Sequence, residues 1–498
     1  MLNFSLRIEW LGGSRLKLDK KSDFSNWYNT VIREAEIVDD RYNVKGFVVH
    51  RPWGMRILKS IYKMYEEALE KRGHEPVLFP TVIPEENLRR EEEHVEYFKA
   101  EVFWVTHGAD KRLPRKLALR PTSETAFYYM YSYWIRSYRD LPFKAYQSCS
   151  VFRYETKATK PLLRGREFLW IEAHDVFPTP EDAYRQVRED MEIAKEVIYG
   201  KLGIPFMFFQ RPQWDKFRGA EYTFAADCFM PDGRFNQIAS THYLGQRFAK
   251  AFEIKFLDKD GVWKYPYQTC YGPGIWRILA ALISIHGDNH GLIIPFDIAP
   301  IQVVIVPIPS KDVNYDELIN YCKIVEDTLR GRGFRVKLDS NPDVTPGAKF
   351  YFWEFRGVPL RAEVGLTEMK TRNVTLCRRD TFERIRVELE RLPDTVEDLS
   401  RKILENLRSR AEKELESRIV EASSVEEIGE AVSKGLIVKA PFCSIDYDGE
   451  ACGEKLKETY SAEVRGVRID IKEEPPYDAK CIVCGKPAKH YVYIGKSY

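Results

Sequence analysis

Residues 163–175 read LRGREFLWIEAHD, and their alternation constrains the fold more than any other stretch of the chain. Successive side chains of a strand point to opposite faces, so Arg164, Arg166, Phe168, Trp170, Glu172 and His174 share one face and Leu169, Ile171 and Ala173 the other. The second set suits a core. The first mixes both charge signs with two large aromatics, which is not the composition of a merely solvated surface. A sheet with one apolar face and one chemically equipped face is expected.

A chain of 498 residues exceeds what one core usually organises, and about two to four domains are expected. Lys+Arg number 77 against Asp+Glu 75, so any nucleic-acid contact has to come from local basic patches. No stretch reaches the roughly 18 apolar residues of a membrane span, and MLNFSLRIEWLGG has no apolar run before a small-residue cleavage site. A cytoplasmic protein with no membrane partner is expected. The nine cysteines are too scattered for a secreted disulfide framework, and only Cys443, Cys452, Cys481 and Cys484 gather near one end.

Helices are expected over 22–38, 53–72, 123–137, 180–201, 274–286 and 314–331. The second has Met55, Leu58, Tyr62, Tyr65 and Leu69 at three- and four-residue steps, with Gly73 as its stop. Strands are expected at 116–120, 144–154, within 220–257 and at 301–307. EPVLFPTVIPEE, interrupted by Pro80, suits an edge or interface strand. From residue 301 an alternating α/β pattern begins, and residues 393–435 form a charged helical spacer before a compact Cys-bearing unit. The expected units are 1–296, with a short N-terminal extension 1–20, then 297–392 and 393–498.

The chain has no GxxxxGK[ST] loop, no strand–GxGxxG–helix unit, no serine nucleophile elbow and no HExxH. It does have LRPTSET (119–125), SVFRYE (150–155), the 163–175 strand, QIASTHYLGQ (237–246) and WRILAALISIHGDNHGL (276–292). In this order and spacing they resemble the class II aminoacyl-tRNA synthetases, and within them the prolyl-tRNA synthetases of archaeal and eukaryotic type, from FSNWYN to the final SY. The resemblance implies an α+β catalytic domain on an antiparallel sheet, an α/β anticodon-binding domain and a small zinc-binding C-terminal domain. It implies ATP- and Mg²⁺-dependent activation of L-proline to prolyl-adenylate, transfer to the 3′ end of tRNA(Pro), and a homodimer with the helix 53–72 and the strand around Pro80 at its interface. The same motifs also suit a class II synthetase for another small amino acid, or a synthetase-like tRNA-binding or regulatory protein that has lost catalysis.

By the same resemblance Arg153 contacts the α-phosphate and the amino-acid carboxylate, and Arg277 the outer phosphate of ATP. Glu155 reads the adenine side, with Arg164 and Phe168 nearby, and Gln237 and Ser240 face the nucleotide and Mg²⁺. Thr122, Glu124, Trp170, Glu172, His174 and His242 line the amino-acid pocket. The chemistry is consistent with those types. Guanidinium stays charged and binds phosphate bidentately, no general base is needed for a carboxylate already ionised, and a secondary ammonium on an apolar ring asks for carboxylates and aromatic walls. Plainer readings stay open: Arg153 and Glu155 as a surface pair on one strand face, Thr122 as a helix N-terminal turn after Pro121, and each histidine as a hydrogen-bonded structural residue.

The chain departs from the family where QIASTHYLGQ stands for QGGTSHHLGQ, where CYGPGIWR stands for a segment with SWG, and where Ala173 replaces a glycine. Cys270, Tyr271 and Trp276 fall around the pocket and the ATP tail. The 175–270 stretch is too short to hold the long editing insertion of some bacterial relatives. In KFYFWEFRGVPLRAEVGLTEM, Glu354 and Arg361 match the family's pair for reading anticodon guanines, with Glu368 at a usual Asp and Thr367 at a usual Lys. A cross-strand salt bridge is the plainer reading of Glu354 and Arg361. Cys443, Cys452, Cys481 and Cys484 are expected to hold structural Zn²⁺, with His490 a candidate to replace one thiolate because the Cys443–Cys452 spacing is long. A redox or unliganded cysteine set is the alternative.

Overall fold

The structure, a computed structural model, describes residues 18–94, 102–312 and 314–498. Most of the expected N-terminal extension therefore lies outside the described residues. A central eleven-stranded sheet organises the molecule, and Phe143–Phe152, Glu167–Phe177, Tyr267–Pro273, Arg234–Gly245 and Tyr222–Phe229 are consecutive antiparallel neighbours within it. The 163–175 reading needs one correction. The strand begins at Glu167, and Arg164 and Arg166 belong to the turn before it, where Lys160 and Arg164 exchange backbone hydrogen bonds at 2.8 Å.

The helix Pro52–Glu70 starts with proline at its first position and stops before Gly73, whose φ is +83°. Its apolar stripe, Ile57, Leu58, Ile61, Tyr65 and Leu69, is buried in the chain's own core beneath the central sheet. Each such side chain contributes about 1.5–3 kcal/mol on burial. The stripe that made this helix legible thus packs within the chain. The helix 180–201 is α over Pro180–Ala194 and π over Lys195–Lys201, and Thr179 caps its start by accepting from Asp182 N–H.

The segment around Pro80 is not one strand. Glu75–Pro76 pairs in parallel with Phe143–Phe152 at the sheet edge, whereas Val82–Pro84 joins Lys111–Leu119 and Trp104–Gly108 in a separate three-stranded sheet. Proline lacks the N–H that a continuous ladder needs, and the chain changes sheet there.

The second sheet runs Val336–Leu338, Val303–Pro307, Leu360–Val364, Asn373–Arg378, Arg384–Glu388, parallel in its first three strands and antiparallel after. A helix, Pro346–Phe355, carries Glu354. The spacer is two helices, Leu392–Ser417 and Val425–Ser433, separated by the short strand Ile419–Glu421. The Cys-bearing unit is not a detached module. Its strand Glu463–Arg468 pairs with Met207–Gln210, and Arg234 and Phe235 pair in parallel with Lys496 and Ser497, so its sheet continues the central one. Among the described residues no helix is long and apolar enough to cross a membrane.

Candidate active site

One cavity of about 570 Å³ opens on the polar face of the central sheet. All the residues expected at the amino acid and the nucleotide line it: Thr122, Glu124, Arg153, Glu155, Arg164, Phe168, Trp170, Glu172, His174, Gln237, Ser240, His242 and Arg277. Strand register explains the convergence. Cys270 lies opposite both His174 and His242 on its two neighbours, so these three side chains form a row across one face. Tyr271 pairs with Ala173 and Thr241 and therefore points to the other face. Cys270, Tyr271 and Trp276 all border the cavity, with the Cys270 side chain on the face of His174 and His242.

At one end of the cavity a buried acid–imidazole group is assembled. Glu172 accepts from Ser123 N–H at 3.1 Å and from Gln147 Nε2 at 2.7 Å, and its Oε2 lies 3.3 Å from His174 Nε2. His174 Nδ1 pairs with the Tyr128 hydroxyl at 3.2 Å, and the Thr122 hydroxyl donates to Glu124. Burial opposes charge on both partners, yet their mutual hydrogen bond and attraction raise the His174 pKa and lower that of Glu172. Glu124 goes the other way, raised by burial and by the Glu172 charge, although His174 counteracts this. His242 is held neutral, pushed down to about 3 by burial and then by the charges of His174 and Arg211. Its nitrogens pair with Thr223 Oγ1 at 2.9 Å and Ser240 Oγ at 3.0 Å. Burial and the nearby carboxylates raise the Cys270 thiol far above its usual value, which leaves it a small neutral wall.

At the other end three guanidiniums converge. Arg277 donates to the carbonyls of Leu163 at 3.3 Å and Gln237 at 3.2 Å, and burial followed by the charges of Arg153 and Arg164 pushes it down to about 10. Arg153 donates through Nε to Pro121 O at 3.1 Å, with its guanidinium over Phe168 and Trp170 at 5.3 and 5.8 Å. Arg153 and Glu155 do not share a strand face, because the strand ends at Phe152 and Glu155 N–H turns back to Arg153 O at 2.7 Å. Arg164 Nε stands 3.7 Å from Glu155 Oε2. Cations forced together near one opening form a cradle for a polyanion.

The sequence reading missed Arg211, Asp215 and Thr223, which also line the cavity. Arg211 donates to Gln237 Oε1 at 3.0 Å and is salt-bridged to the buried Asp227, which Arg465 from the C-terminal unit also grips. The available signal was a pair of opposite charges: Asp227 within an otherwise apolar strand and Arg211 directly after another. Trp276 donates through Nε1 to His50 Nε2 at 2.9 Å.

Elsewhere Glu354 and Arg361 are brought together, with Arg361 Nη1 and Glu354 Oε1 2.5 Å apart, but from a helix to a strand and not across two strands. Arg361 also donates to Glu363 and lies over the Phe350 ring at 3.9 Å. Glu368 caps its own helix by accepting from Gly365 N–H at 3.1 Å. Cys443, Cys452, Cys481 and Cys484 converge with their sulfurs within 4.8 Å of one another, and His490 is not in the group. The Cys443–Cys452 separation of 3.7 Å matches the about 3.8 Å edge of a tetrahedron with Zn–S bonds of about 2.3 Å. Gly485, at φ +73°, closes the knuckle, where its N–H returns to Cys481 O at 2.9 Å. Burial resists ionising the Cys484 thiol, but the Lys486 backbone N–H and the other thiols bring it down to about 7.

Comparison with known proteins agrees with this geometry. The family described as tRNA synthetase class II core domain (G, H, P, S and T) matches residues 103–286, an anticodon binding domain matches 302–399, and a prolyl-tRNA synthetase C-terminal domain matches 425–498. A proline–tRNA ligase of Thermofilum pendens is 58% identical over 97% of this chain and 99% of that protein, and one of Methanopyrus kandleri 45% identical over 98% and 99%. The structure of Giardia lamblia prolyl-tRNA synthetase in complex with prolyl-adenylate superposes with a TM-score of 0.93 at 38% identity, covering 97% of this chain and 100% of that one. That of the Cryptosporidium parvum enzyme, complexed with halofuginone and AMPPNP, gives 0.91 at 32%, covering 97% and 96%.

Proposed function

The chain belongs to the prolyl-tRNA synthetases of class II, and from that premise we propose how its residues divide the work of activating proline with ATP and charging tRNA. The observation that carries the division is one cavity with a buried carboxylate–imidazole group at one end and three guanidiniums at the other. Proline sits at the first. Its ring meets Trp170 and Cys270, and its ammonium meets the carboxylates of Glu172 and Glu124, with Thr122, His174 and His242 completing the wall. The triphosphate of ATP lies toward the second. Arg153, between the two, holds the proline carboxylate against the α-phosphate, and Arg277 draws off the pyrophosphate charge. Attack is in line, and positioning with electrostatic stabilisation does the catalysis.

Mg²⁺ supplies charge neutralisation on the phosphates. Gln237 and Ser240 offer oxygen donors of the kind that cation prefers, while Glu155, with Arg164 and Phe168, faces the adenine side of the nucleotide. The four cysteines fit structural Zn²⁺ in charge, number and spacing, with no position left for a substrate. Glu354, Arg361 and Glu368 read the anticodon of tRNA(Pro), the buried ion pair opening toward a guanine edge. The units are a catalytic domain to residue 296, an anticodon domain over 297–392 and a C-terminal unit from 393. Two copies pair through the exposed Leu78 and Val82, and the protein works in the cytoplasm.

Amino-acid-dependent ATP–pyrophosphate exchange with proline, alanine, cysteine and threonine tests the reading. Exchange strongest with proline is expected. Equal exchange with alanine or cysteine would shift the assignment of the pocket residues, since a hydrophobic pocket discriminates a missing methylene by only about 1–3 kcal/mol.

A further inference from the structure

The strands that present the active site on one face carry a second polar group on the other. Asp175 follows His174 and points to the opposite side of the sheet. There its Oδ2 lies 3.1 Å from His74 Nε2, with both side chains fully buried. His74 Nδ1 is 3.1 Å from Leu69 O, so its N–H is directed to a carbonyl and Nε2 is turned toward the acids. A backbone carbonyl on the far ring nitrogen commonly orients a metal-binding histidine in this way. Asp190, from the helix Pro180–Ala194, completes the group, and ligand atoms of His74, Asp175 and Asp190 lie within 4.8 Å of one another. Gln186 Nε2 at 2.8 Å and the Thr241 hydroxyl at 2.6 Å orient Asp190.

Two carboxylates share one imidazole as their cationic partner: against the effect of burial, Asp175 raises the His74 pKa, while burial and then the Asp175 charge raise Asp190 to about 7. Among the described residues no lysine or arginine forms an ion pair with Asp175 or Asp190, and the ammonium of nearby Lys144 is held by Arg72 O and Glu189. Two buried atoms also lack any hydrogen-bond partner: Asp175 Oδ1 and the hydroxyl of Thr269. Thr269 lies directly opposite Asp175 on the neighbouring strand and so shares its face, at the about 4.5–5.5 Å Cβ separation of such pairs. Buried polar atoms are seldom left unsatisfied, and both of these border the acidic group.

We propose that His74, Asp175 and Asp190 bind a divalent cation behind the catalytic sheet, with the Thr269 hydroxyl beside it. One imidazole nitrogen with carboxylate oxygens favours Zn²⁺ or Mn²⁺ over the all-oxygen preference of Ca²⁺ and Mg²⁺. The site touches no substrate. It ties the Asp175 and Thr269 strands, whose adjacent residues His174 and Cys270 line the cavity, to the helix Pro180–Ala194 and to the turn that follows the helix Pro52–Glu70, and so acts as a positioning element. It is independent of the Cys443–Cys484 group.

Metal content of the full chain, expressed with zinc and manganese in the medium and gel-filtered, tests the proposal. Asp190→Asn is expected to hold about one equivalent less than the wild type, while Cys481→Ser/Cys484→Ser loses a different equivalent. Equal content in wild type and Asp190→Asn overturns it. If Asp190→Asn does not fold, the cobalt-loaded wild-type chain decides. Weak bands of a nitrogen–oxygen site beside the thiolate charge-transfer bands are expected, and a spectrum without them overturns the proposal.

Discussion

Glu172 Oε2 and His174 Nε2 stand 3.3 Å apart, two residues apart on one strand and almost fully buried. Glu172→Gln keeps the shape and removes the charge, so proline's ammonium loses a carboxylate and His174 its partner. The KM for proline is expected to rise about tenfold or more, equivalent to about 1.4 kcal/mol, with KM for ATP unchanged. Exchange kinetics check this, and an unchanged proline KM would remove Glu172 from the pocket.

The same pair sets a pH window. The Glu172 pKa is lowered, so its contribution is present above its ordinary 4.5 and fades as pH falls through the folded value. The His174 pKa is raised, so its contribution is complete below 6.5 and is lost as pH rises through the folded value. The melting-temperature difference between wild type and Glu172→Gln is expected to be largest between those two values. A difference that keeps growing well above neutrality contradicts the pairing.

Arg153 sits at the junction of the two halves of the cavity. Arg153→Ala is expected to lower the adenylation rate about 10²–10³-fold, the usual effect of removing one donor aimed at developing charge. Arg153→Lys restores little, because an ammonium cannot bind bidentately or lie flat over Phe168 and Trp170. tRNA binding, followed by filter retention, stays near the wild-type level. An active Arg153→Ala chain would refute the assignment.

Arg277 is buried beside two other cations, an arrangement that favours a bound polyanion over the empty site. Arg277→Gln is expected to melt a few degrees higher than the wild type without ligand, and to gain less on adding ATP. Thermal shift with and without ATP gives both numbers. A variant that melts lower in both states would show that Arg277 is simply structural.

Asp227 is gripped by Arg211 from one side and by Arg465 from the C-terminal unit on the other. Arg465→Met is expected to destabilise the chain by about 3–5 kcal/mol, the usual effect of breaking a buried ion network. It should also raise the KM for ATP through Arg211 and Gln237, leaving that for proline alone. Denaturant melts and steady-state kinetics separate the two effects, and an unaltered ATP KM in folded protein argues against the link.

Arg361 tests the anticodon reading without touching catalysis. Arg361→Lys keeps the charge against Glu354 and Glu363 but loses the fork, so kcat/KM for tRNA(Pro) is expected to fall about tenfold or more while exchange is unchanged. Equal loss with tRNA of an altered anticodon would show that the effect is one of stability.

Local order along the chain carried much of the outcome. Residue types within the five motifs, and the period-two alternation from Phe168 to His174, identified the side chains that line the cavity, because a strand's face is decided by sequence parity. The helix Pro52–Glu70 was legible from its spacing and its proline start. Tertiary structure alone decided the rest. That the apolar stripe of this helix packs inward, that the C-terminal strands extend the catalytic sheet through Val467 and Gln210, and that Arg465 meets Asp227 all depend on contacts between residues far apart in the chain. Strand edges carry the same backbone donors and acceptors whatever their sequence, so which edges meet is settled by the burial and charge balance of the whole fold and not by any one segment.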